Sequence, residues 1–227
     1  MVPARGIAVV VALTGVLAHA QVPDGGDASV AQAVAAGRAR ATAGEALAQF
    51  SIGSLLYYGS TDTAQAVDWL RKAAGQAYPP AEFQVGQLYE FGFGVDRDLP
   101  QALVWYRRAA DHGSAAAQRV VGESHQKGRG VAADAIEAAR WYARAANGDD
   151  LRAQYALGQM YFDGAGIPRD YVSAYVWFSI AASQTPLLDN RKGLIELCNI
   201  AAVRMTPEQL ADADRRVHAW RPGSMTR

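Results

Sequence analysis

Apolar and polar positions along this chain follow a helical period, and the helical stretches return in pairs. Ala153, Leu157 and Tyr161 stand four apart, which places them on one face of a helix. Glycine pairs punctuate such stretches, at Gly92 and Gly94, Gly128 and Gly130, Gly164 and Gly166. Glycine accepts positive φ without strain, so each pair predicts a helix end and a turn. Each turn leads to an aspartate, Asp98, Asp134 or Asp170, placed to cap a second helix by accepting its orphan N–H groups. The predicted unit is helix, glycine turn, helix.

That unit recurs. Trp69, Trp105, Trp141 and Trp177 are 36 residues apart, and so are the pairs Ala73-Ala74, Ala109-Ala110, Ala145-Ala146 and Ala181-Ala182. Ala66, Ala102, Ala138 and Ala174 keep the same step, as do Asp62, Asp98, Asp134 and Asp170. A glycine sits in each first helix, at Gly53, Gly86, Gly122 and Gly158, with steps of 33, 36 and 36. The first unit is therefore three residues short in the turn after Gly59. Alanine pairs let a neighbouring helix approach closely, and the indoles fill the space between units. A single hairpin cannot bury both its apolar faces, so stacked copies share one core. The predicted organisation is four repeats over 45–184 (about 45–77, 78–113, 114–149 and 150–184), flanked by caps at 21–44 and 185–221.

The caps have their own signals. Ala31-Gln32-Ala33-Val34 echoes Ala64-Gln65-Ala66-Val67, so the alanine-rich stretch from Asp27 to Gly44 reads as a reduced half-unit covering the first helix. Leu187 to Val203 forms an amphipathic helix. Thr206-Pro207-Glu208-Gln209 then offers an N-cap threonine, a proline at the first helical position and a glutamine three after the cap, opening a last helix to about Trp220. The tail after Pro222 is expected to fray. At the other end Arg5, the apolar run from Gly6 to Leu17 and Ala18-His19-Ala20 form a signal-peptide pattern with cleavage after Ala20. The run is shorter than the 20 or so residues that span a bilayer. Export to a periplasm or the exterior is expected, with no integral membrane segment left after cleavage.

Charge and composition narrow the chemistry. The 22 basic and 22 acidic residues are interspersed, which argues against nucleic acid as a partner. Cys198 is the one cysteine, so no internal disulfide can form, and its apolar surroundings suit a buried small side chain. His112, His125 and His218 lack metal-ligand spacing, with His112 near a helix C-terminus and His125 at a packing position. Gly122-Glu123-Ser124-His125-Gln126 begins like a nucleophile elbow but ends in glutamine and falls within a helix. The turn glycines follow no strand, so they imply no phosphate loop, and Asp163 and Asp170 do not space as a calcium loop. No cofactor, metal or catalytic residue is expected.

The pattern Ala115-x-Ala117-Gln118, Gly122, Gly128-x-Gly130-Val131, Trp141-Tyr142 and Ala145-Ala146 resembles the Sel-one-like repeat family, and Ala153-Gln154, Leu157-Gly158, Tyr161, Gly164-x-Gly166 and Trp177 carry the match again. The chain departs from it at His125, at Leu70 and in the short first turn. The resemblance, spanning about residues 46 to 184, implies a right-handed α-solenoid of antiparallel helix pairs, related to the tetratricopeptide repeats. It also implies a non-enzymatic scaffold or adaptor whose partner is a protein or peptide. The alternatives it carries are an immunity protein that sequesters a toxic effector and, less so, a hydrolase. The branch linked to β-lactam hydrolysis is disulfide-stapled, which one cysteine cannot reproduce. By analogy with tetratricopeptide stacks, a stripe along the first helices lines the concave face. Counted from each signature glycine, it holds Phe50, Phe83, Arg119 and Tyr155 at −3, and Ser54, Gln87, Glu123 and Gln159 at +1. Tyr57, Glu90, Gln126 and Phe162 follow at +4, then Tyr58, Phe91, Lys127 and Asp163 at +5. Stiff rings among adaptable polar groups suit a peptide groove. The same rings would equally serve to pack adjacent first helices, and at this level both readings stand.

Overall fold

The computed structural model describes residues 26–59, 63–185 and 188–224. The signal pattern, Asp62 and most of the shortened first turn lie outside them. Eleven α-helices run through the described residues: α1 Gly26–Thr42, α2 Ala46–Gly59, α3 Thr63–Ala74, α4 Pro79–Phe91, α5 Leu99–Asp111, α6 Ala115–Lys127, α7 Ala135–Asn147, α8 Leu151–Asp163, α9 Tyr171–Gln184, α10 Leu188–Ala202 and α11 Pro207–Ala219. The described residues contain no strand. The chain divides into two compact units, Met1–His112 and Gly113–Arg227.

In the first unit α1 packs on α2, α2 on α3, α3 on α4 and α4 on α5. In the second, α6 packs on α7, α7 on α8, α8 on α9, and α9 on both α10 and α11. Within each unit, a repeat is thus one antiparallel hairpin laid against its neighbour.

The turn chemistry is as expected. Gly92, Gly128 and Gly164 end α4, α6 and α8 in the left-handed region at φ 70°, 67° and 69°. The second glycine of the pair answers a different need: a Cβ on Gly166 would come within 2.1 Å of the Ala135 Cβ. This turn therefore nests on the start of the preceding second helix, and glycine is required there by space as well as by φ. Asp98 accepts from the Gln101 N–H, Asp134 from those of Ile136 and Glu137, and Asp170 from those of Val172 and Ser173. Asp98, Asp134 and Asp170 also donate their own N–H to the carbonyls of Tyr89, His125 and Tyr161, each at 2.9 Å, closing the turns. His125 is buried at this position.

The core follows the register. The alanines of all four pairs are buried, as are Ala66, Ala102, Ala138 and Ala174. Trp141 and Trp177 are 8% and 6% exposed, whereas Trp69 and Trp105 are half-buried. Trp105 packs on the cluster of Val67, Leu70, Ala74 and Val85, and Trp177 shares one with Tyr142, Ala146 and Leu157. Thr206 and Gln209 form the reciprocal capping box of α11, whose Ala213 is buried. At the start of the tail Gly223 donates to the Asn147 carbonyl at 2.7 Å and the Arg221 N–H donates to the Ser224 hydroxyl; residues 225–227 lie outside the described residues.

Candidate functional site

Each signature glycine is flat against the side chain that follows the register tryptophan. A Cβ would lie 2.6 Å from Leu70 at Gly53, 2.7 Å from Tyr106 at Gly86, 2.9 Å from Tyr142 at Gly122 and 2.7 Å from Phe178 at Gly158. The ring so placed reaches the +4 position of the first helix. Tyr106 donates its hydroxyl to Glu90 at 2.6 Å, and Tyr142 donates to Gln126 at 2.8 Å. In the last repeat both partners are apolar, with Phe162 and Phe178 ring centroids 6.2 Å apart. Burial raises the Tyr142 phenol well above its usual range; Glu123 adds to this and Arg119 opposes it.

The predicted stripe divides between packing and solvent. Ser54 is buried and donates to Gln84 at 2.6 Å, joining α2 to α4. Phe50 rests on Tyr78 and Phe83 on Tyr106, both half-buried. Arg119 bridges Glu123 and, at 3.2 Å, Asp150. Burial works against its charge, but the two carboxylates outweigh that and hold its pKa above the ordinary value. Gln159 donates to Asp163 at 2.6 Å, Gln87 is half-buried and Lys127 is exposed. Tyr58, Phe91 and Tyr155, by contrast, are 43%, 64% and 46% exposed. In the first unit Tyr57 joins Tyr58 to Phe93, with ring centroids 4.7 and 4.6 Å away, and Phe91 stands two residues before Phe93.

Two features escape the register. Glu82 is fully buried and meets Arg108 at 3.1 Å and His112 at 2.6 Å, so His112 is a partner of a buried carboxylate and does more than close a helix. The signal for it is present in the sequence: Glu82 replaces the glutamine found at 49, 118 and 154. The second feature is a cleft of about 850 Å³ in the second unit, lined among others by Arg140, Trp141, Arg144, Tyr161, Trp177 and Arg216. Its periodic trace is a cation three residues after the tryptophan. Lys72, Arg108 and Arg144 lie 4.4, 4.5 and 4.3 Å from the indoles of Trp69, Trp105 and Trp141. Cys198 is buried beside the Ser179 hydroxyl, and burial raises its thiol above the usual range. Among the described residues no group of three His, Cys, Asp or Glu could hold a metal ion, and no helix is long and apolar enough to cross a membrane.

The Sel1 repeat model matches four times, at residues 46–78, 79–114, 115–150 and 151–186. The chain belongs to the Sel1 repeat family. Sel1 repeats generally serve as protein-interaction scaffolds. No curated protein matches the chain. Among solved structures it is similar to a Sel1 repeat protein from Oxalobacter formigenes, with 32% identity over 83% of this chain and 79% of that one and a TM-score of 0.68. It is also similar to a protective antigen present in uropathogenic Escherichia coli strains that displays an SLR fold. There the identity is 28% over 93% of this chain, with a TM-score of 0.70. This chain spans 44% of that antigen's length. The fold is accordingly the all-α solenoid of helix pairs, and the Sel1 hairpins set the first-helix face and the cleft described above.

Proposed function

We propose that this chain is a non-enzymatic scaffold of the cell envelope, exported by its N-terminal signal, that holds a partner protein or peptide on its first-helix face. The carrying observation is the exposure of Tyr58, Phe91 and Tyr155 at stripe positions, where burying such rings would stabilise a helical core. An aromatic ring left in solvent on a rigid helix is a ready anchor, because it buries much area at little entropic cost on binding.

A photo-crosslinking residue placed at Phe91 or Tyr58 in cells tests the face, with Val104, exposed on α5, as control. Adducts at the first two positions and none at Val104 are expected. With the crosslinker moved to Gln87, half-buried on the same stripe, Tyr58→Ala with Phe91→Ala should abolish the adduct while leaving the melting temperature nearly unchanged. A large stability loss would mark the rings as core. Mass spectrometry of the periplasmic fraction, expected to show a chain beginning at Gln21, checks export.

A further inference from the structure

We propose that the cleft of the second unit binds an acidic segment of a partner protein, its carboxylates on the arginines and one apolar side chain against Tyr161, Leu157 and Trp177. The site is separate from Tyr58, Phe91 and Tyr155 and does not depend on them. Its volume, about 850 Å³, lies within the range of roughly 300–1,000 Å³ typical of ligand pockets. Arg140, Arg144 and Arg216 line it against one acid, Glu137.

These arginines are placed to receive carboxylates. The Arg144 guanidinium lies 4.3 Å from the Trp141 ring centre. An arginine held on an aromatic ring has lost much of its rotamer freedom beforehand, which lowers the entropic cost of a paired N–H···O contact. Arg140 bridges Glu137 at 3.1 Å with its side chain 73% exposed; such a surface pair is worth about 0–1 kcal/mol, so an incoming carboxylate competes with it readily. Arg216 comes from α11 and carries its charge to the Tyr161 side of the cleft.

The lining also speaks for a peptide over a polyanion. Apolar and aromatic side chains share the cleft with the arginines, and the chain as a whole carries no net charge, whereas a nucleic-acid surface needs a broad basic stripe. Acidic residues around one apolar residue match this mixture.

The test uses the full chain and a fluorescein-labelled peptide, Glu-Glu-Phe-Glu-Glu, followed by anisotropy. Saturable binding that weakens with added salt is expected, with a roughly tenfold or greater loss on Arg140→Glu with Arg216→Glu. Tyr58→Ala with Phe91→Ala should leave it unchanged, which separates this site from the first-helix face. Should the charge reversals unfold the protein, Arg140→Gln with Arg216→Gln asks the same question, and a loss of binding is again expected. Equal binding of Gln-Gln-Phe-Gln-Gln, equal binding by the arginine variants, or binding only of a phosphoserine counterpart would overturn the proposal.

Discussion

The residue after the buried first-helix alanine shows how one atom type reorganises its surroundings. Gln49 donates to the Ala41 carbonyl at 3.0 Å and Gln154 to that of Ala146 at 3.3 Å, each satisfying the end of the preceding helix. Glu82 cannot donate. Arg108 therefore supplies the bond to the equivalent carbonyl, Ala74, at 3.3 Å, while also pairing with the carboxylate. This predicts an asymmetry. Arg108→Ala strands a fully buried charge with His112 alone and should cost about 3 kcal/mol. Glu82→Gln restores the amide of the other repeats and should cost about 1 kcal/mol or less. Urea unfolding of both variants checks the order. Tyr142 offers a second residue-scale test. Its phenol is kept neutral by burial, so the folded chain resists ionisation that the unfolded chain undergoes above about pH 10. Stability from this group is complete below that value and is lost as pH rises beyond it. Tyr142→Phe, which copies Phe178, should change stability at neutral pH by about 1 kcal/mol at most. It should also reduce the fall in melting temperature between about pH 9 and about pH 11.

Helices and turns were readable wherever a side chain states its own purpose. The aspartate caps, the glycine pairs and the Thr206–Gln209 box each satisfy backbone groups locally, so short-range sequence suffices to place them. The links between repeats were not readable, because two of them hide their conformation. Gly44, Ala77, Gly113 and Asp149 occupy the same step between a second helix and the next first helix, and all have positive φ, 92°, 55°, 91° and 71°. Two are not glycine, so composition gives no warning. Asp149 gains from its side chain, which accepts from Gln184 at 2.6 Å. Ala77 has a methyl group and no such return. Ala77→Gly should therefore raise stability by about 1 kcal/mol, the approximate cost of a Cβ in the left-handed region. Gly113→Ala should lower it by a similar amount. Thermal unfolding of the two variants measures both signs.

At the scale of the molecule, periodic residues gave the stacking and non-periodic ones gave the sites. The 36-residue step names the alanines and tryptophans because every copy needs the same packing, whereas Glu82 shows only as a break in the glutamine register and Arg216 lies beyond the repeats. Stacked hairpins touch mainly their neighbours, so stability in such chains is a sum of local terms, and the final element matters for what it covers. Helix α11 brings Ala213 into the cluster of Tyr142, Leu157 and Trp177, with Val217 and Trp220 packed against it, and Asp214 accepts from the Tyr175 hydroxyl at 2.9 Å. Ending the chain before Thr206 would uncover that cluster and remove Arg216 from the cleft. Amide hydrogen exchange should then quicken in α8 and α9, the helices that hold Leu157, Tyr175 and Trp177, while α2 to α4 exchange as before. Uniform quickening across every helix would mean that the repeats unfold as one cooperative block and that no local sum describes them. Loss of the acidic peptide by the same truncated chain, with crosslinking at Phe91 retained, would place the cleft and the first-helix face under separate control.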